Sequence, residues 1–363
     1  MHSSYDAVVV GAGQSGLAAA HHLRTRGLRT VVVETGPEPV GSWPHYYDSL
    51  TLFSPAKYSA LPGLPFPGDP DRYPHRDEVV DYLRRYADTV TADIHTSRAV
   101  TEVDHDGHLF TAHTDTGHSY TAPRLIAATG GFATPNTPTL SGQGDFTGNI
   151  LHASRYRSPA DFAGQRVIVV GAGNSAVQIA TELAETASVT LASRTPVKFV
   201  PQRPLGRDIH FWFINSGLDS LPIGHLISEP PTAPIFDTGR YRGALAAGKP
   251  VARAMFTRLE ADAVIWPDGT RSKVDTIILA TGYRPNLSYL GNVGALDDTG
   301  TPMHRKGIST THLGLGYLGL EWQRSLSSAS LRGVGRDARR LVKQLDAAAT
   351  RNSKGRNEIG IKR

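Results

Sequence analysis

Gly11-Ala12-Gly13-Gln14-Ser15-Gly16 is the stretch on which the fold turns. Ala7–Val10 before it is a short apolar, β-branched strand, and residues 17–26 behind it read as a helix that Gly27 stops. Thr30–Val33 is again continuously apolar, as a parallel strand covered on both faces must be, and it runs into Glu34. A G-x-G-x-x-G turn between strand and helix, with an acidic residue about 20 positions on, is the dinucleotide-binding fingerprint. Gly11 allows the tight turn, Gly13 lets a pyrophosphate reach the backbone, and Gly16 lets the helix lie close to the strand. The helix start supplies free N–H donors and a partial positive charge for phosphates, and Glu34 accepts hydrogen bonds from ribose hydroxyls.

The pattern recurs downstream. Arg166–Val170 is a strand, Gly171-Ala172-Gly173-Asn174-Ser175-Ala176 is the turn, a helix continues to 187, and a second strand covers 189–192. Alanine is tolerated in the last position of the turn. The second strand ends in Ser193-Arg194, where the first ended in Glu34. A carboxylate repels a ribose 2′-phosphate, whereas a guanidinium binds it with charge-assisted hydrogen bonds. The first site therefore suits FAD or NAD, and the second suits NADPH, with NADH possible. Two different dinucleotide sites in one chain imply electron transfer between two cofactors, with a flavin as the resident acceptor of a nicotinamide's hydride.

Working outward, residues 36–74 form a Pro/Gly/aromatic stretch without a period, and 77–88 restore a helical one. Residues 101–121 read as a β-meander turning at Asp106-Gly107 and Thr116-Gly117. Buried strands at 124–129 and 276–280 both lead into Thr-Gly pairs, Thr129-Gly130 and Thr281-Gly282, and 336–345 is an amphipathic helix. With 363 residues, 39% hydrophobic and 20% charged, the chain has a globular composition and room for two domains. It contains no cysteine, which excludes disulfides, thiolate metal sites and any dithiol redox pair, so electrons must travel on cofactors.

The net charge of +5 is concentrated in residues 351–363, where five basic side chains face Glu358 alone. The remaining body is nearly neutral, so no nucleic acid or membrane is expected as a partner. The fifteen histidines show no ligand spacing, so no metal is expected either. The apolar stretch 7–20 lacks a basic leader and contains Gln14 and Ser15, so it is strand and helix rather than a signal sequence, and a cytoplasmic location is expected.

The connector between the two fingerprints carries a resemblance. Phe146, Gly148, His152 and Tyr156 fit F-x-G-x-x-x-H-x-x-x-[Y/F], the signature of flavin-containing monooxygenases. The related Baeyer–Villiger monooxygenases carry Trp at the last position. Gly41-Ser42-Trp43 resembles the segment that lies by the flavin in that family, with Val40 in place of its first glycine. The resemblance, closest to the short bacterial branch, extends to about Leu345. It implies that NADPH reduces FAD, that O₂ adds at the flavin C4a carbon as a hydroperoxide, and that one oxygen atom passes to a sulfide, amine or ketone. Many members place an Asn beside the flavin where this chain has Phe53-Ser54.

The expected fold is α/β, with two Rossmann-like dinucleotide-binding domains and the NADP domain inserted in the FAD domain. The FAD domain takes 1–155 and 270–345, the NADPH domain 160–265, and a basic, disordered tail 346–363. Phe53, Ser54 and His152 are the candidate catalytic residues, with a domain-hinge role as the other reading of His152. Gly11, Gly13, Gly16, Glu34 and Trp43 are candidates for FAD. Gly171, Gly173, Asn174, Ser175, Ser193 and Arg194 are candidates for NADPH, Thr281 and Gly282 are further cofactor contacts, and Arg203 and Arg207 can approach the phosphates. By resemblance alone, 319–329 supplies backbone contacts to the flavin ring. O₂ and a small molecule are the expected reactants. The rival readings are a reductase passing electrons to a quinone, metal or protein, and a non-enzymatic flavin sensor.

Overall fold

A computed structural model describes residues 5–227 and 234–360. The first fingerprint folds as Ala7–Val10, helix Gln14–Arg24 and Thr30–Val33, with both strands buried throughout and Ala7 opposite Thr30 in parallel register. Seven strands form its sheet. The parallel part runs in the order Leu315–Tyr317, Leu125–Ala127, Ala7–Val10, Thr30–Val33, Asp93–His95, and His304–Arg305 and Ile308–Ser309 add an antiparallel edge. The second fingerprint belongs to a five-stranded parallel sheet ordered Val251–Ala254, Ser188–Ser193, Arg166–Val170, Thr276–Leu279, Asn149–His152. A mostly parallel sheet and a fully parallel one, the second built from an insertion into the first, give the α/β fold expected.

The boundaries move, however. Asn149–His152 and Thr276–Leu279 hydrogen-bond in the second sheet, so the chain changes units before 149 and after 279 rather than at 155 and 270. At these passages Thr134–Pro135 and Tyr283–Arg284 pair antiparallel, and the two connections lie side by side.

The C-terminal helix is a second correction. It runs Leu331–Gly360, so the backbone of 346–360 is helical where disorder was expected. Residues 361–363 lie outside the described residues. Leu331, Val334, Ala338, Leu341, Val342 and Leu345 form a stripe buried against Leu17, Ala18 and Leu23 of the first fingerprint helix. Once that packed part nucleates the helix, the proline-free alanine and lysine/arginine-rich continuation propagates it despite its charge. Among the described residues no helix is long and apolar enough to cross a membrane.

Candidate active site

The first glycine turn is built for close approach. Gly11 has φ +99°, and a Cβ there would lie 2.9 Å from the Ala128 carbonyl oxygen. A Cβ on Gly16 would lie 1.7 Å from the Gly11 carbonyl oxygen, so helix and strand touch backbone to backbone. The helix that starts after Gly13 has no capping side chain and no acidic residue in its first turn. Its N–H donors are thus free to serve an anion.

Glu34 is buried at the end of the neighbouring strand. Its Oε2 accepts the Ala12 N–H at 2.5 Å and its Oε1 the Gly36 N–H at 2.8 Å, leaving a lone pair on each oxygen for hydroxyl donors. Gly41 crosses directly over the turn, where a Cβ would come within 2.7 Å of the Gly13 Cα. The Trp43 indole N–H donates to Gln14 Oε1 at 3.2 Å, and Gln14 Nε2 donates to the Ala329 carbonyl at 2.7 Å. Gly319 packs on the same helix start, against Ser15. Two distant segments, at Trp43 and Ala329, therefore converge on this turn through Gln14, which the sequence reading did not single out as a site residue. An uncapped helix start on a glycine turn, with an acidic acceptor beside it, fits a dinucleotide.

The second turn repeats the design with looser packing. Gly171 has φ +148°, and its Cβ would meet the Ala280 carbonyl at 2.5 Å. A Cβ on Gly173 would meet nothing within 4 Å. Helix Asn174–Leu183, which includes Ser175, likewise starts without a capping side chain or acidic residue. Ser193 ends the adjacent strand, and Arg194 is exposed with no carboxylate engaging it among the described residues. Arg203 and Arg207 are exposed and lie over the rings of Tyr73 and Phe211, at 5.9 and 4.6 Å.

The connector signature is structural. A Cβ on Gly148 would strike the Phe146 ring and the Asp275 carbonyl, at 2.5 and 2.6 Å. Tyr156 is fully buried and donates to Glu182 on the second fingerprint helix at 3.0 Å. His152 is buried, its Nε2 donates to the Gly282 carbonyl at 3.0 Å, and its Nδ1 accepts the Ser154 N–H at 3.1 Å. Burial holds this imidazole below its ordinary pKa, partly offset by the Gly282 bond, so it is neutral. Both ring nitrogens are spent on backbone, which fits the hinge reading of His152 and leaves no free nitrogen for the catalytic one. Thr281 fixes the same passage by donating to the Asn136 carbonyl at 2.5 Å.

Phe53 and Ser54 part company. The Ser54 hydroxyl is buried and bonded to Ser59 Oγ at 2.9 Å, so it is spent inside its own loop, a correction to its candidacy. Phe53 is 40% exposed and lies where the two units meet, its carbonyl accepting from Gln202 Nε2 at 3.1 Å. Its ring stacks on His210, 6.3 Å between centroids at 20°. Asp208, His210, Gln202 and Tyr73 form a hydrogen-bonded group at this junction that sequence reading missed. The only trace was a D-x-H within an aromatic run.

Comparison with known proteins agrees with this geometry. The family model for pyridine nucleotide-disulphide oxidoreductases matches residues 8–207. An uncharacterised CzcO-like oxidoreductase of Geobacillus kaustophilus is 34% identical, over 95% of this chain and 99% of its own. Indole-3-pyruvate monooxygenase YUCCA1 of Oryza sativa is 32% identical, over 84% of this chain and 81% of its own. The solved flavin-containing monooxygenase of Stenotrophomonas maltophilia superposes with a TM-score of 0.84 at 32% identity, covering 96% of this chain and 99% of that one.

Proposed function

The chain belongs to the pyridine nucleotide-disulphide oxidoreductase family, and from that premise we propose that it transfers one atom of O₂ to a small organic sulfide, amine or ketone. It is an NAD(P)H-dependent flavoprotein of the flavin-monooxygenase kind, with FAD and NADPH as cofactors. Having no cysteine, it carries no thiol pair of its own. In this reading Gly11, Gly13, Gly16 and Glu34 hold FAD, while Trp43, tied down by Gln14, closes over it. Gly171, Gly173, Asn174, Ser175, Ser193 and Arg194 hold NADPH. The flavin, when bound, supplies the oxygen chemistry of the kind set out for the resembling family.

The protein's own contribution is orientation and exclusion of water. Gln14 pins two segments, at Trp43 and Ala329, over the first turn. His152, Thr281 and the paired passages hold the two sites in register across the hinge. Ser49 and Tyr156 bind Glu182, docking the first unit's loop on the second fingerprint helix. One observation carries the reading: two uncapped glycine turns have side chains of opposite charge beside them, Glu34 at one and an unengaged Arg194 at the other.

The reductase reading draws support from Phe53, which offers no amide where many members of the resembling family carry Asn. Stopped-flow spectroscopy separates the two. Anaerobic NADPH alone should bleach the yellow protein, and admitted oxygen should give a short-lived near-ultraviolet transient before the oxidised spectrum returns with hydrogen peroxide. Reoxidation without a transient, with fast electron delivery to a quinone, would establish the reductase.

A further inference from the structure

Asp208 and His210 make a buried pair on the face of the second unit that meets Phe53. Asp208 Oδ1 accepts the His210 backbone N–H at 2.9 Å and its ring Nδ1–H at 2.7 Å. Oδ2 accepts the Tyr73 hydroxyl at 2.5 Å and the Gln202 amide at 2.8 Å. Burial alone would raise this carboxyl, but the His210, Tyr73 and Gln202 donors hold it down to about 2. An ionised carboxylate on Nδ1–H fixes the tautomer, so the lone pair of the imidazole sits on Nε2.

That nitrogen is the anomaly. His210 has no solvent exposure, and its Nε2 has no hydrogen-bond partner among the described residues. Buried polar atoms are paired in the great majority of cases, and an orphan marks a place where a partner belongs. The charged groups facing the ring are Asp208, Arg332 and Asp219, and burial outweighs the two carboxylates in lowering its pKa, so it stays neutral at pH 7. Four aromatic rings surround it: Phe236 at 5.6 Å, Phe213 at 6.2 Å, Phe53 at 6.3 Å and Tyr58 at 6.4 Å. Of these, Phe53 alone is exposed. It lies near-parallel to the imidazole at the junction of the two units, where its carbonyl accepts from Gln202.

We infer that His210 Nε2 is a hydrogen-bond acceptor for the substrate, reached when the Phe53 ring swings aside, so that the site selects flat apolar molecules carrying one O–H or N–H donor. Asp208 is a positioning residue that keeps the acceptor nitrogen pointed away from itself. The inference rests on the monooxygenase reading for the fate of the bound molecule, and not for whether it binds.

Binding is measured by calorimetry on the oxidised holoenzyme without NADPH, using three probes of one shape. These are 4-(methylthio)phenol, its methyl ether, and methyl phenyl sulfide. Wild type should bind the phenol roughly five- to tenfold more tightly than the other two, the worth of one hydrogen bond. His210→Phe should erase that preference while leaving the ether and the plain sulfide unchanged, and His210→Gln, which keeps an acceptor oxygen, should retain part of it. Equal affinity of the three probes for wild type overturns the inference with no variant needed. A uniform loss of all three in a folded, FAD-loaded His210→Phe also overturns it, because a structural role would do that. Should the binding pattern hold while no sulfoxide forms, the monooxygenase reading fails and this one stands.

Discussion

Gly16→Ala should cost this protein its flavin, and the structure sets the size of the effect. The new Cβ would sit 1.7 Å from the Gly11 carbonyl oxygen, where an ordinary carbon–oxygen contact is about 3.3 Å. Helix Gln14–Arg24 must then retreat by roughly 1.5 Å, which stretches N–H···phosphate bonds of about 2.9 Å beyond 4 Å. Losing one hydrogen bond to a charged group costs about 1.5–3 kcal/mol, or tenfold to a hundredfold in affinity, and the helix start offers more than one donor. Overpacking between helix and strand adds about 1–3 kcal/mol of destabilisation. The second turn provides the internal control, since Ala176 stands there naturally and its Cβ would be 3.0 Å from one on Gly171. Flavin content of the purified variant, and its melting temperature with and without added FAD, are the assays. A Gly16→Ala protein that is stoichiometrically yellow and melts like wild type would refute the close-packing argument.

Gly173→Ala should leave fold and flavin intact, because its Cβ meets nothing within 4 Å, yet raise KM for NADPH at least tenfold by filling the space a pyrophosphate needs; an unchanged KM would remove Gly173 from the site. Arg194→Ala should weaken NADPH by about tenfold to a hundredfold in kcat/KM while sparing NADH, from the loss of a charged hydrogen bond to phosphate, and equal losses for both cofactors would show that it does not touch the 2′-phosphate. Asp337→Ala leaves Arg324, whose Nε lies 2.5 Å from that carboxylate at a buried site, without its partner, and should destabilise the protein by about 3–5 kcal/mol in urea unfolding. The Asp208 carboxyl is held at about 2, below its unfolded value of about 3.9, so its stabilisation is present above pH 4 and lost as pH falls toward 2. The difference in urea midpoint between wild type and Asp208→Asn should accordingly shrink across that window, and a constant difference would contradict it.

Backbone requirements made the cofactor turns legible. Gly11 and Gly16 are dictated by contacts too short for any Cβ, and Glu34 against Ser193-Arg194 carries its chemistry in the residue type. The connector signature was legible as a pattern, but its meaning was not. Gly148 and Tyr156 entered as marks of a family and serve packing, and His152 stood between a catalytic and a hinge role until the fold showed both its nitrogens on backbone. Ser54 failed for a related reason: nothing in the chain tells which way a loop hydroxyl turns, and Ser59 takes it. Asp208 and His210 stayed hidden because their surroundings come from afar, Tyr73 lying 135 positions away and Phe53 on the other unit. The helical 346–360 segment was misjudged by weighing charge above the nucleus that Leu331–Leu345 packing supplies.

Oxygen-atom transfer is tested most directly by isotope. Enzyme, NADPH and methyl phenyl sulfide are mixed under isotopically heavy O₂, and the sulfoxide is weighed by mass spectrometry against the NADPH consumed. Monooxygenation predicts one heavy oxygen atom in each sulfoxide, with the NADPH not coupled to sulfoxide recovered as hydrogen peroxide. NADPH consumption with the sulfide untouched, in an enzyme that reduces quinones rapidly, would contradict it.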